Sequence, residues 1–563
     1  NNAIGTGVGD NDQTGTVAVG FDALQDLTSG AGNTAIGYQA LRLATTAGAN
    51  TVLGYQAAPL LVSGTYNIVI GREAMLAADG AESSNVAIGQ SSMGGVNNDS
   101  TAQNVAIGRN SLVGGTGEIT DTIAIGYFAG DGMGNIGTSN SIFIGSNAGG
   151  GTVASDASGS NNNIAIGTNA MDGALDGALY NVAIGTNSLG VLTSGDKNVA
   201  IGYEAGAAHQ STAWAIYIGY QAGHDVSTGA QNVLIGGESG SKITDGERNI
   251  AIGSAALQLT NPSSTVIIGD NAGVYAAGDS NVFVGRLAGT GGTTSGSYST
   301  GNNNVAIGRE AFEGFTTGSN NVAIGMEAMT AATTAPSNTV LGAYAGHDIT
   351  TAGYNTLLGF GTGQRLVTAS STNNQHNTYV GYQAGALSTG YDNVIVGSEA
   401  GDALTSGNSN VVIGRNALST AQTVTDCVII GRETGNAIAA GVAAAGVVAI
   451  GSFACNDINS TDANYTIGIG YLAAANVTSG QKNMAVGYAA LEDCTTGDNN
   501  TALGYEALKE VTGSDNTAVG RGAGDAVTDA IRTVSVGSLA LTTNESGQGD
   551  VAVGYFALGN ATG

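Results

Sequence analysis

Four histidines, three cysteines and a large excess of acids are the residues of this 563-residue chain best suited to chemistry. His209, His224, His347 and His376 stand far apart, but His224 and His347 share one phrase, Ala-Gly-His-Asp. A His beside an Asp suits a metal ligand. Scattered this thinly, the four read more simply as solvated loop residues. Cys427, Cys455 and Cys494 are odd in number and lack paired Cys-x-x-Cys spacing, so they read as buried, idle thiols. No His-Glu-x-x-His and no Gly-Lys phosphate loop occur. No pair of carboxylates stands out, and no calcium-binding nonapeptide repeat is present. The expectation is a chain that is not an enzyme and has no cofactor, loop-bound Ca²⁺ being the one ion left open.

Another set of residues recurs at fixed spacing. Asn181–Gly185, Asn304–Gly308 and Asn321–Gly325 all read NVAIG, and the residue after the closing Gly is most often Tyr or Arg. Tyr38, Tyr55, Arg72, Tyr203, Tyr220, Tyr488, Tyr505 and Arg521 belong to this set. Copies stacked on one another would set these residues in an outer ladder. Arg72 would lie over Tyr55 and Arg521 over Tyr505, each contact contributing about 0.5–1 kcal/mol. A ligand-binding Tyr/Arg stripe is the competing reading.

The word occurs in 32 copies, from Gly5 to Gly554, most often 17 residues apart. A short fixed period over a whole chain signals a solenoid. The residue before each Gly is Ile, Leu or Val, and two places earlier stands Val, Ile or Thr in nearly every copy. Such tripeptides suit short strands stacked in parallel. Val86, Ile88, Val105, Ile107, Val199, Ile201, Val305, Ile307, Val322 and Ile324 are therefore expected in the coil's core. The residue between them points the other way. It is Ala106, Ala183, Ala306 or Ala323 in some copies and Phe143 or Phe283 in others, never charged. That face is expected to meet a neighbouring identical chain, so Arg or Glu at those alanines should break assembly. Asn four places before the Gly should form a ladder and turn the entry corner with left-handed backbone. A small residue three places after the Gly marks a tight inner corner.

With 93 glycines, 3 prolines and 10% charged residues, the composition excludes collagen, and 42% hydrophobic residues argue against disorder. A net charge of −28 should repel nucleic acid and anionic lipid. No apolar run long enough to insert in a membrane is seen. The repeat runs off both ends, so the chain is expected to be one continuous repeat domain over 1–563, cut from a longer product.

Asn33–Leu41 reads NTAIGYQAL and Asn500–Leu508 reads NTALGYEAL. Word and period resemble the head repeats of YadA-like trimeric autotransporter adhesins, and still more the arrays of phage tail-fibre-like proteins. The resemblance covers nearly the whole chain. It implies a left-handed parallel β-roll, three chains side by side, and an extracellular or virion-surface location. The expected function is a fibre shaft that holds a tip away from a virion base. The alternative is an adhesin or receptor-binding head that grips a host-cell surface through its loops. The longest intervals, Gly145 to Gly167, Gly285 to Gly308 and Gly359 to Gly381, are rich in Gly, Ser and Thr. They read as decoration, which favours the shaft. An ice-binding solenoid would need a flat Thr-x-Thr ladder, which is not seen.

Overall fold

Three residues of β-branched–small–β-branched type are enough for a strand, because each strand is held on both sides by the next copy of itself. The computed structural model describes all residues except 1–2, 7–13, 134–136, 152–158, 293–297, 367–374, 439–443, 459–463, 526, 543–545 and 560–563, with backbone alone for 3–6. The tips of the three longest loops thus lie outside the described residues. The described chain is an all-β parallel solenoid of about 29 turns with a spacing near 17 residues. It divides into two compact units, Asn1–Val274 and Tyr275–Gly563, each built from the same coil. In the first, Val182–Ile184, Val199–Ile201 and Ile216–Ile218 pair in parallel and in register. In the second, Val305–Ile307, Val322–Ile324 and Thr339–Leu341 do the same. The copy at Gly5 departs: Ala3–Thr6 runs antiparallel to Val17–Gly20.

Between strands the backbone alternates hand, so that successive N–H groups point up and down the stack. In the coil that starts at Gly202 the left-handed residues are Gly202 (φ 139), Glu204 (φ 54), Gly206 (φ 59) and Trp214 (φ 67). Gly202 and Glu204 donate to Ile184 O and Thr186 O of the preceding coil, at 2.8 and 2.9 Å. Gly206 donates forward to Ala222 O at 2.9 Å. Hydrogen bonds of this kind along the stack offset the strain of left-handed non-glycine residues, about 1–2 kcal/mol each.

Strand polarity is the reverse of the sequence-based expectation. Ala106, Ala183, Ala306, Ala323, Phe143 and Phe283 are fully buried inside their own coil, not on an open face. Val86, Ile88, Val105, Ile107, Val199, Val305, Val322 and Ile324 are only half-buried, and Ile201 and Ile307 count as exposed at 36% and 39%. These ten point outward, covered on their flanks by the same residue types one coil above and below. The coil is too thin for large side chains at every inward place. The room is shared with the residue four places after the motif Gly, which is Leu189 opposite Ala183 and Met329 opposite Ala323. Where the inward strand residue is large, that partner is glycine. A Cβ on Gly149 would stand 2.3 Å from the Phe143 ring, and one on Gly289 equally close to Phe283. Tyr217 has glycine on both sides, a Cβ falling 2.5 Å away at Gly206 and 2.6 Å at Gly223.

The asparagines form the expected ladder, though not with left-handed backbone; that conformation belongs to the residue before each, such as Asn320 (φ 61) before Asn321. Asn321 is buried, its amide N–H and Nδ2 both donate to Asn304 Oδ1 (3.0 and 3.1 Å), and Nδ2 also donates to Ala335 O at 2.8 Å. Its own Oδ1 accepts from Asn338 N at 2.9 Å and Nδ2 at 3.2 Å. Asn321→Ala should take their side-chain partner from the buried Asn338 amide N–H and the Ala335 carbonyl and cost about 2–4 kcal/mol. Urea unfolding would read this as a lower midpoint than wild type, with Asn321→Thr, which keeps one acceptor, falling between them.

Candidate functional site

The residue after the motif Gly lies on the outer surface because that Gly turns the chain out of the strand. The rings there stack coil upon coil. Tyr38 and Tyr55 have centroids 5.1 Å apart at 12°, Tyr203 and Tyr220 5.5 Å at 10°, Tyr488 and Tyr505 4.9 Å at 10°. Phe21 extends the first stack and Tyr471 the third, each at 5.5 Å. All six predicted tyrosines are thus brought into ladders. The two predicted arginine contacts are not among the ring–cation contacts of the described residues. Those are Arg109 over Tyr127 (5.7 Å), Arg432 over Phe453 (5.1 Å) and Lys197 over Trp214 (4.4 Å).

Arginines of this row turn instead to glutamates one place along. Arg286 and Arg309 both reach Glu310, at 2.8 and 2.7 Å, and Arg309 also meets Glu327 at 2.5 Å. These glutamates stand two places after the motif Gly, where other coils set Gln or Asn. Gln56 donates to Gln39 at 3.0 Å, and Asn147, Asn169 and Asn187 form a chain of amides at 3.1 and 3.2 Å. Gln221 donates to Glu204 at 2.8 Å; this bond is the main cause holding the Glu204 carboxyl below its ordinary pKa.

Sequence reading missed exposed aromatics at the corner before the Asn ladder: Tyr66, Tyr180 and Trp214 in the first unit, Tyr354 and Tyr465 in the second. Their shared spacing, five places before the motif Gly, was the available signal.

His224 and His347 occupy equivalent half-exposed places as expected. Each touches its own Asp225 or Asp348 and the glutamate of the preceding coil, Glu204 at 3.5 Å or Glu327 at 3.6 Å. His209 contradicts the loop reading, being fully buried with Nδ1 3.1 Å from the Tyr217 hydroxyl and Nε2 3.0 Å from Thr212 O. It supplies the phenol with a partner inside an apolar coil. Burial pushes the His209 pKa down, only partly opposed by the Thr212 carbonyl. The imidazole is therefore neutral when folded, and the unfolded chain binds the extra proton below about pH 6.5. Stability should be full above that value and fall as pH drops from 6.5 toward the lower folded pKa. A His209→Gln variant should show less of that loss between pH 7.5 and 5.5 in thermal melts.

Cys427, Cys455 and Cys494 are free and buried, their thiols pushed by burial up to about 11, 12 and 11. Such thiols stay protonated and inert at neutral pH. One acidic group is unlike the rest: Glu82 is fully buried beside Asp79 and Asp99, and burial raises its pKa against the pull of backbone N–H groups at Glu82 and Gly80. No helix of the described residues is long and apolar enough to cross a membrane. Compared with protein-family models and with curated proteins, the chain matches none.

Proposed function

We propose that the chain is a structural shaft, a left-handed β-roll that associates as a homotrimer in an extracellular or virion appendage. The observation that carries this reading is the outward face of the strands. Leu53, Ile68, Ile307, Leu341, Leu358, Ile413 and Leu503 are all exposed in the single chain, between 37% and 48%. The two outward strand positions hold no charged residue in any copy, on a chain whose net charge is −28. A charge-free apolar stripe on so acidic a protein marks a surface meant to be covered. If each outward side chain exposes on the order of 50 Å², two per coil pass about 1,000 Å² within ten coils, the scale of a specific interface. A second and third copy of the chain, carrying the same stripe, are the occupants. This moves the chain–chain interface from the alanines to the Val/Ile positions.

A shaft needs length and stiffness, and the coil supplies both through hydrogen bonds that run from copy to copy. No cofactor and no catalytic group enter this reading. Its base is a virion or cell surface, and the acidic outer surface keeps nucleic acid and anionic lipid away. Function then depends on the number of coils rather than on their identity. Deleting residues 304–337, two whole coils, should leave a folded assembly about 10 Å shorter, at about 4.8 Å per strand. Electron microscopy reads the length; a misfolded product would argue that individual coils have roles of their own.

The interface has its own test. Ile307→Asp together with Ile324→Asp adds two charges to the stripe of each copy, where they would be desolvated on association. The variant should dissociate while its circular dichroism stays that of a folded solenoid. Unfolding with no change of assembly would count against the outward stripe as the interface.

A further inference from the structure

Glu82 stands where no other coil has a charge. Seven places before the motif Gly the chain carries Ala47, Gly64, Thr101, Gly195 or Val424, and no other copy has an acid or a base there. The place is an inner corner whose carbonyl accepts the ladder amide: Asn67 Nδ2 to Glu82 O at 2.8 Å, as Asn50 Nδ2 to Gly64 O at 2.8 Å one coil earlier. Glu82 Oε2 accepts the Gly80 N–H at 3.1 Å, whereas Oε1 is buried with no hydrogen-bonding partner. One coil on, in the equivalent place, the Thr101 hydroxyl is also buried and without a partner. A buried carboxylate oxygen with nothing opposite it is strongly disfavoured unless a cation or a proton meets it.

Two more carboxylates converge on it. Oxygens of Asp79, Glu82 and Asp99 lie within 4.8 Å of one another, with Asp79 and Asp99 open to solvent. Asp99 Oδ1 accepts the Ala81 N–H at 3.2 Å, and Asn97 Nδ2 approaches Asp79 Oδ2 at 3.5 Å. The Asp99 carboxylate points its Oδ1 at Gly80, where a Cβ would fall 1.5 Å from that oxygen. The Lys and Arg ion pairs of the described residues go to other acids. The ladder steps here are 18 and 19 residues, longer than the usual 17, and the added length sets Asp79 and Asp99 at the rim.

The geometry points to a calcium ion held by Asp79, Glu82 and Asp99 between two successive coils. All three ligands are hard oxygens, and two Ca–O bonds of about 2.4 Å span up to about 4.8 Å. Magnesium, at about 2.0–2.1 Å, needs a tighter octahedron, and softer metals would want the imidazole or thiolate that this corner lacks. The ion would meet the orphaned Oε1 of Glu82, relieve the repulsion of three carboxylates and clamp one coil to the next. The site is independent of the shaft reading and stands or falls separately from it.

Isothermal titration of the whole chain with CaCl₂, at about 0.15 M NaCl to screen diffuse binding by the other acids, tests it. Wild type should show one saturable site. Glu82→Gln, which keeps the shape, should lose it, and Asp99→Asn should weaken it at least about 10-fold. Added Ca²⁺ should raise the melting temperature of wild type more than that of Glu82→Gln. Circular dichroism of both variants confirms that the coil is intact. The inference is overturned if wild type has no saturable site, in which case Glu82 carries a proton, or if both variants keep it. MgCl₂ displacing Ca²⁺ at equal concentration would overturn the choice of ion.

Discussion

Glutamate in place of Ala183 is expected to unfold its coil rather than merely to separate chains. Ala183 is fully buried and in register with Ala165 below and Ala200 above, with Leu189 of its own coil filling the remaining space. A larger side chain overpacks that space, at about 1–3 kcal/mol. An unpaired buried carboxylate adds several kcal/mol more. The sum, above about 5 kcal/mol, is of the size of a whole domain's stability. Loss of far-ultraviolet β signal or protease cleavage within this stretch would report the effect. A folded Ala183→Glu chain that only dissociates would restore the opposite orientation of the strands.

The second large effect belongs to the motif glycine. Gly202 has φ 139, a region L-residues rarely adopt, and a Cβ there would stand 2.3 Å from Gly219 O of the next coil. Strain at such a backbone costs about 1–3 kcal/mol. The clash must also push two coils apart, and Gly219 N donates to Ile201 O at 2.8 Å beside it. Gly202→Ala should therefore lower stability by roughly 4 kcal/mol or more. Gly237→Ala is the control, since a Cβ there meets nothing within 4 Å. Comparable thermal midpoints for the two variants would show that the close approach is not what keeps the glycine.

Most of the fold was legible in the sequence because the repeat is written in backbone chemistry. The motif Gly, the Asn ladder, the small corner residue and the stacked tyrosines each follow from what the main chain needs, and each has its expected place. Side-chain direction was misread because Val and Ile are both good strand formers and good core residues, so their recurrence suited either face. The deciding signal was a pairing across the coil. Phe143 goes with Gly149, Tyr217 with Gly223, Phe283 with Gly289 and Tyr379 with Gly385, a volume exchange that only residues sharing one interior require. His209 was misplaced for a related reason, since its partner, the Tyr217 hydroxyl, becomes an inward group only once the strand is turned the right way. Glu82 could have been found by alignment alone, as the one charge in its column. Its neighbours Asp79 and Asp99 could not, because they stand at different places relative to their motif glycines, ten before Gly89 and nine before Gly108.

The arginines show how a surface row escapes a nearest-neighbour rule. Arg72 and Arg521 sit over the coils of Tyr55 and Tyr505, yet long side chains choose among several acceptors in an acidic field. In Arg309 the glutamates Glu310 and Glu327 take the guanidinium. Exposed pairs of this kind contribute little to stability.

The proposal that the outward Val/Ile stripe is covered by two further copies is tested most directly by the mass of the particle in solution. Sedimentation equilibrium of the 55.1 kDa chain should give a single species of about 165 kDa, three times the chain mass, that falls to the chain mass in the Ile307→Asp, Ile324→Asp variant. A folded wild-type chain that sediments at 55.1 kDa, its stripe open to water, would contradict the account.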